Sequence, residues 1–408
     1  MIAADPPLAR LRRDMPDVMA QLERLWAILP DARLVGGAVR DLLLGRGVTD
    51  MDLASPHAPE SVMELLRHAG IKVVPTGLAH GTVTAVLDGR PFEITTLRRD
   101  EETDGRHATV AWTHDWREDA ARRDFTINAM SCDSAGVVHD YFNGQADLAA
   151  GRIRFVGEAH QRITEDALRI LRFFRFQARY GRGAPDGAAM VAITGLAGMI
   201  DRLSVERIWL ELRRILVGPQ VVATLEQMRD CGVLGHVLPE GCDISRLARL
   251  LACDAPVDAI LRLAALVVGE PRAVSQRLRL SRADSTALAQ TRGTVMPLPG
   301  MDAARLAPML ADHDRRDLMW RTWLRQADDS GAPDPAWTAL RTMVDGMEKP
   351  VFPLTGRDLV AAGCNPGLTV GRVLGQVRQW WLEGGCTADH AACIGRMQTV
   401  LQHERHNL

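Results

Sequence analysis

Asp50 and Asp52 are the residues of this chain whose type and spacing speak first for chemistry. Thr49 to Ala54 reads as a short strand, and alternate side chains of a strand share one face. Both carboxylates then point one way, and Met51 and Leu53 the other. Paired carboxylates are costly unless a cation holds them. Mg²⁺ is commonly bound by one or two carboxylates together with substrate phosphates. Just upstream lies Val35-Gly36-Gly37-Ala38-Val39-Arg40-Asp41. Ala32 to Val35 reads as a strand, and Ala38 to Leu44 as a short helix closed by Gly45. A double glycine lets backbone N–H groups approach a ligand, and a helix start beside it favours anions. A phosphate cradle and a metal clamp therefore sit a few residues apart. Either motif alone is equally at home in a solvated loop. Their order, strand, Gly-Gly, helix, Asp-x-Asp, is what points to a site. Arg40, on the helix after the glycines, suits a triphosphate through bidentate guanidinium geometry, or else pairs with Asp41 on the helix surface.

Three further groups carry chemistry. Glu93 lies mid-strand with Phe92 and Ile94 facing away, a third acid for the same site or a solvated strand residue. Arg122-Arg123-Asp124 precedes the apolar run from Phe125 to Met130. Asp124 there is a helix N-cap or a ligand, and Asn128 offers both donor and acceptor. Thr164 reads as the N-cap of a helix running to Tyr180, with Glu165 and Asp166 in its first turn and Arg169 one turn on. That arrangement also describes a plain stable helix. Arg169, Arg172, Arg175, Arg179 and Arg182 recur at steps of three or four, either a solvated basic face or a groove for a polyanion.

The elements that must position these groups fall into two patterns. Residues 30 to 150 alternate strand and helix signals. Ser61 to Ala69 reads as a helix, and Asp88-Gly89 joins the runs Thr82–Leu87 and Pro91–Leu97 as a hairpin. Arg98 to Ala121 is a long charged stretch read as a loop. From Ile163 onward the periodicity is helical. At 408 residues the chain suits two or three domains. A net charge of -2 means that any basic surface is local. Seven cysteines without CxxC or Cys/His spacing point to free thiols in a reducing compartment. No apolar run is long enough to span a bilayer, and Met1 to Met15 lacks a signal-peptide pattern, so a cytoplasmic location is expected. His313-Asp314 lacks further ligands at the spacing a metal site needs.

Five segments follow one another in order: Val35–Asp41 with Asp50-Met51-Asp52; Thr76–Val83 with Glu93–Arg98; Arg122–Met130; Glu165–Arg169 with Ile170-Leu171-Arg172; and Leu203–Ile208. In them the chain resembles the DNA-polymerase-β-like nucleotidyltransferase superfamily. Within it, the chain looks like the class II branch of CCA-adding tRNA nucleotidyltransferases and bacterial poly(A) polymerases. The resemblance is strong to about residue 220 and weak beyond. It implies an α+β fold, with a polymerase-β-like nucleotidyltransferase head, a small β-sheet with helices, over 1–150. An all-helical neck over 151–220 and a body and tail over 221–408 follow, both contacting RNA. The implied activity is template-independent addition of C and A to tRNA 3′ ends from CTP and ATP, with release of pyrophosphate.

The resemblance also implies roles. Asp50 and Asp52 hold two Mg²⁺ ions, and Glu93 is the third catalytic acid. Gly36, Gly37, Arg40, Arg123, Asp124 and Asn128 bind the nucleotide, with Asp124 accepting from the ribose 2′-OH. Asp166 accepting and Arg169 donating match the amine and ring-nitrogen edges of both C and A, while U and G present the reverse. Glu165 orients Arg169. Arg172, Arg175, Arg179 and Arg207 contact RNA. The stretch Asp100 to Arg106 is the candidate for the family's flexible loop that switches from C to A. Thr355–Leu359, Gly363, Asn365-Pro366-Gly367 and Val370-Gly371 read as helix caps and turns, or as a tail gripping tRNA. No membrane and no obligatory protein partner are implied. A poly(A) polymerase, a CC-adding or an A-adding enzyme would share these motifs. An RNA-binding protein on a decayed catalytic fold would not need Asp50, Asp52, Asp166 and Arg169 intact.

Overall fold

The computed structural model describes residues 6–48, 50–103, 108–363 and 367–406. They form two compact units, Met1–Pro239 and Glu240–Leu408. The strands of the first are β1 (Arg33–Val35), β2 (Leu53–Ser55), β3 (Lys72–Gly77), β4 (Thr82–Leu87), β5 (Arg90–Thr96), β6 (Arg98–Thr103), β7 (Ala108–Trp112), β8 (Met130–Cys132) and β9 (Val138–Asp140). Seven build one sheet in the order β3-β4-β5-β2-β1-β8-β9, and β6 pairs with β7 apart from it. β2 runs parallel to β5, with Leu53 opposite Ile94, while β1 is antiparallel to both β2 and β8. Leu34, Leu53, Val83, Phe92 and Ile94 are fully buried, which fixes the register from within.

Two turns show why these residues fold here. Asp88 and Gly89 both take positive φ, 50° and 82°, the geometry that lets a two-residue hairpin follow strand twist. Gly36 turns the chain from β1 into the Gly37–Leu43 helix at φ 64°, and a Cβ there would stand 2.9 Å from Arg123 Nη1. Both the conformation and the close approach require glycine.

Three expectations need correction. β2 begins at Leu53, so Asp50 and Asp52 lie in the segment entering the strand. Val35 N–H donates to the Asp52 carbonyl (3.0 Å), which extends the ladder by backbone bonding alone. Thr49 lies outside the described residues. The stretch from Arg98 to Ala121 is not a loop. It forms the β6–β7 ladder, with Arg98 opposite Trp112, and then the Trp116–Ala121 helix. Of Asp100–Arg106, residues 104 to 106 lie outside the described residues. Finally, Thr164 does not start a helix. It sits within the Ala159–Glu165 helix and donates to the His160 carbonyl, while Asp166 is extended (φ -153°) and caps Leu168 N–H at 3.1 Å. The next helix is Leu168–Tyr180. Asp166 wins because its short carboxylate competes with helix bonding for nearby N–H groups.

The Leu168–Tyr180 helix is anchored by aromatic packing. Phe125 meets Phe155 and Phe176 at 5.1 Å and Phe173 at 6.3 Å between ring centroids. The second unit is helical from Ile244–Ala252 to His390–His406. One of its cores gathers Leu306, Leu310, Leu318, Trp337, Leu340 and Val344, and another Leu359, Val373, Val377 and Trp381. Thr355 and Asp358 form a capping box there, while residues 364 to 366 lie outside the described residues. The six described cysteines are free thiols. No described helix is long and apolar enough to cross a membrane.

Candidate active site

A cleft of about 670 Å³ opens where the glycine turn, the segment before β2, the Arg123–Asn128 segment and the Leu168–Tyr180 helix converge. Its lining includes Gly36, Gly37, Arg40, Asp50, Asp52, Arg123, Asp124, Asn128, Asp166, Arg169, Arg172, Arg175 and Arg207. Glu93 is exposed and does not line it, yet Glu93 acts on Asp52. The Asp52 carboxyl is held above the ordinary carboxylate range. Partial burial in the cleft contributes most, then repulsion from Glu93 and Asp50, with Arg123 opposing. A carboxyl raised by burial and by neighbouring acids suits a hard cation. Among the described residues no three Asp, Glu, His or Cys side chains gather into a metal cage. An ion held by Asp50 and Asp52 would need further ligands from outside the chain, such as substrate phosphates and water.

The opposite wall is a hydrogen-bonded chain. Arg40 is buried, not at the surface. It grips Asp41 through Nε and Nη2 (3.0 and 2.8 Å) and donates from Nη1 to Asn128 Oδ1 at 2.5 Å. Asn128 Nδ2 donates to Asp124 Oδ1 (3.0 Å), which also accepts from Phe125 N–H (2.9 Å). Arg172 donates twice to Asp124 Oδ2, at 2.7 and 2.5 Å. Burial pushes the Asp124 carboxyl up, but Arg172 and these bonds outweigh it and hold the group below its usual range. Four donors fill a carboxylate that has about four lone-pair sites. Gly36 N–H is likewise used, by the Met130 carbonyl at 3.2 Å, so Gly36 contributes shape and not a donor.

Past the break at Asp166 the cleft changes character. Glu165 Oε2 accepts from Arg162 and from Arg169 Nη1 (2.7 Å). Arg169 Nη1 also reaches the Arg162 carbonyl at 2.7 Å. Asp166 Oδ2 accepts from Arg207 Nη2 at 2.8 Å, and Arg207 lines the same cleft. Arg179 lies outside the cleft, and Arg182 donates to the Leu148 and Ala149 carbonyls. The arginines of this helix thus divide among several surroundings.

Comparison with known proteins follows this geometry. Residues 32–154 match the Poly A polymerase head domain family, and 186–244 the probable RNA and SrmB-binding site of polymerase A. The mitochondrial CCA tRNA nucleotidyltransferase 1 of Mus musculus is 36% identical over 374 residues, spanning 87% of this chain and 83% of that protein. Its Danio rerio counterpart is 35% identical over 373 residues, with 86% and 83% covered. This chain belongs to the CCA tRNA nucleotidyltransferase family. The crystal structure of the Bacillus stearothermophilus CCA-adding enzyme in complex with CTP superposes with a TM-score of 0.75 at 26% identity, covering 95% of this chain and 99% of that one.

The CCA tRNA nucleotidyltransferase family is metal-dependent, and the Asp50–Asp52 pair fits that requirement. Sequence reasoning passed over the residues that brace this family's cleft here. Asp119 is buried and accepts from Arg122 Nε (2.8 Å), Arg123 Nη2 (3.2 Å) and Arg98 N–H (3.3 Å). Buried Arg162 ties the Arg122 and Arg123 carbonyls, and buried Glu211 faces Arg172, Arg175 and Arg214. Their partners lie up to forty residues away, beyond any local spacing. The local signals were the helix spacings of Asp119 with Arg122 and Arg123, of Arg162 with Glu165 and of Glu211 with Arg214, which read as ordinary helix pairs.

Proposed function

We propose that this protein is a template-independent RNA nucleotidyltransferase that adds C and A to tRNA 3′ ends from CTP and ATP, with Mg²⁺ as its ion. The observation carrying this reading is that Asp50, Asp52, Asp166 and Arg169 line one cleft, so metal-binding and base-reading groups face a single nucleotide. Likeness to relatives named CCA tRNA nucleotidyltransferases over most of their length supports it. The division into head (1–150), neck (151–220) and body with tail (221–408) belongs to the same proposal, as does a cytoplasmic location.

Bound at Asp50 and Asp52, Mg²⁺ would activate the 3′ hydroxyl and offset charge on the α-phosphate and leaving pyrophosphate. Glu93 adds negative charge near Asp52. Arg123 and Arg40 face the triphosphate, with Asp119 and Asp41 holding their planes. Asp124, filled by its four donors, acts on the nucleotide through Asn128 and Arg172 and not by taking the 2′-OH itself. Asp166 accepts from the exocyclic amine of C or A, and Arg169 donates to the adjacent ring nitrogen. U and G would set a carbonyl against Asp166 and an N–H against Arg169, and sites built on such hydrogen bonds discriminate strongly. Arg172, Arg175 and Arg179 favour the RNA end.

The test supplies tRNA transcripts lacking CCA, or ending after one C or two, with CTP and ATP singly and together. Products should end at CCA from each start. Asp50→Asn or Asp52→Asn should give no extension while still binding tRNA. Failure to incorporate C, or growth of adenosine tails, would overturn the assignment.

A further inference from the structure

Arg175 lines the cleft and also a second cavity, of about 740 Å³, together with Arg46, Arg179, Arg214, Ile215 and Val217. Its charge is unbalanced. Buried Glu211 serves three arginines at once, Arg175 at 2.6 Å, Arg214 at 3.1 Å and Arg172 at 3.9 Å. Among the described residues neither Arg46 nor Arg179 has a carboxylate partner. Arg46 donates to the Arg179 carbonyl (3.4 Å), and both guanidinium groups lie over the Tyr180 ring, at 4.9 and 5.7 Å. Their donors face an open cavity with spare positive charge. Val217, 41% exposed, adds an apolar side, with Ile215 buried beneath it.

We propose that this cavity holds one nucleotide of the RNA strand just upstream of the growing 3′ end. Its phosphate would lie on Arg46, Arg179 and Arg214, and its sugar against Val217. The inference rests on the RNA reading above and names a site within it. A small inorganic anion would neither fill such a volume nor use the apolar side. A free nucleoside triphosphate arrives with a divalent ion, and no carboxylate lines this cavity to share one. A strand is also the ligand that can occupy two adjoining cavities at once, and Arg175 is their common wall. Glu211 then acts as a positioning residue that keeps Arg175 between them.

The alternative is that these arginines only neutralise helix ends, because the Leu168–Tyr180 and Val205–Leu216 helices finish here. The experiment uses the full chain and a tRNA transcript lacking CCA. It compares wild type with Arg46→Ala/Arg214→Ala and with Val217→Glu, an exposed position where folding is not at stake. KM for the tRNA should rise about tenfold in each, and KM for CTP should not move. The slope of log affinity against log salt should fall by about one for the double variant. Unchanged RNA affinity and salt slope in both variants, with only a lowered Tm, would mean helix capping and overturn the proposal. A raised KM for CTP would reassign the cavity to the incoming nucleotide and overturn it equally. If wild type fails to extend the transcript, the RNA reading itself is what falls.

Discussion

Arg207 donates to Asp166 while Glu165 holds Arg169, so each half of the pair proposed to read the base has its own brace. Removing a brace should loosen selection without touching the metal site. Arg207→Ala should raise UTP and GTP incorporation relative to CTP and ATP about tenfold, the worth of one charge-assisted hydrogen bond. Asp166→Ala or Arg169→Ala should do so more strongly. Single-nucleotide incorporation with each of the four triphosphates measures this, and unchanged preference in all three variants would refute the pairing. Asp119 and Asp124 support a second prediction at this scale. Burial raises both carboxyls, but their arginines win and hold each below the ordinary 3.8. A depressed folded value means that the stabilisation is complete above that pH and is lost as pH falls through the lower one. Asp119→Asn should cost about 3 kcal/mol at pH 7, because Arg122 and Arg123 lose a buried partner. The gap from wild type should close as pH drops below 3.8. Urea unfolding at pH 7 and pH 3 checks this, and an equal gap at both would rule it out. The gathering of the glycines, Asp50, Asp52, Asp166 and Arg169 along one cleft was legible from motifs whose spacing is local. Asp119, Arg162 and Glu211 were not, because their meaning lies in partners that only folding supplies.

At the scale of elements, the β6–β7 ladder was the hardest feature to read. Arg98-Arg99-Asp100-Glu101-Glu102 has no apolar alternation, and a two-stranded ladder need not bury a face, so it lacks a β-branched run of the kind that, with Asp88-Gly89, revealed β4 and β5. The break at Asp166 was hidden differently, since Thr164 and Asp166 both satisfy N-cap rules and only packing decides between them. The ladder's root is tied into the site. Thr113 N–H donates to the Leu97 carbonyl at 3.0 Å, and Arg98 N–H reaches Asp119, which holds Arg122 and Arg123. Shortening the far end, within 101–109, leaves the Arg98–Trp112 pairing and Asp119 in place. We expect C addition to survive such a deletion and A addition to fall, because Arg122 and Arg123 keep their Asp119 brace while the far end of the ladder is lost. Stepwise extension with CTP and then ATP tests it, and equal loss of both would make the hairpin purely structural.

For the whole molecule, charge sets how far synthesis can run. An enzyme that extends any RNA needs a broad basic surface, with affinity falling steeply in salt. This chain carries a net charge of -2. Its spare positive charge near the cleft is confined to a few arginines of the Leu168–Tyr180 and Val205–Leu216 helices and to Arg46. Such a surface can hold a few terminal nucleotides but cannot follow a lengthening strand. Tight acceptance of a folded RNA by shape is the alternative source of affinity, and it is the usual mode for structured RNA. Growth past a set length would then carry the 3′ hydroxyl away from Asp50 and Asp52, and a displacement of about 1 Å already costs about 10²-fold in rate. Extension should therefore stop after at most three nucleotides, even with excess CTP and ATP. Long incubations with a tRNA transcript and an unstructured RNA of equal length provide the measurement. The tRNA should stop at a fixed length and the unstructured RNA should remain a poor primer at physiological salt. Long adenosine tails on either would show that a broad RNA surface exists and would favour a poly(A) polymerase.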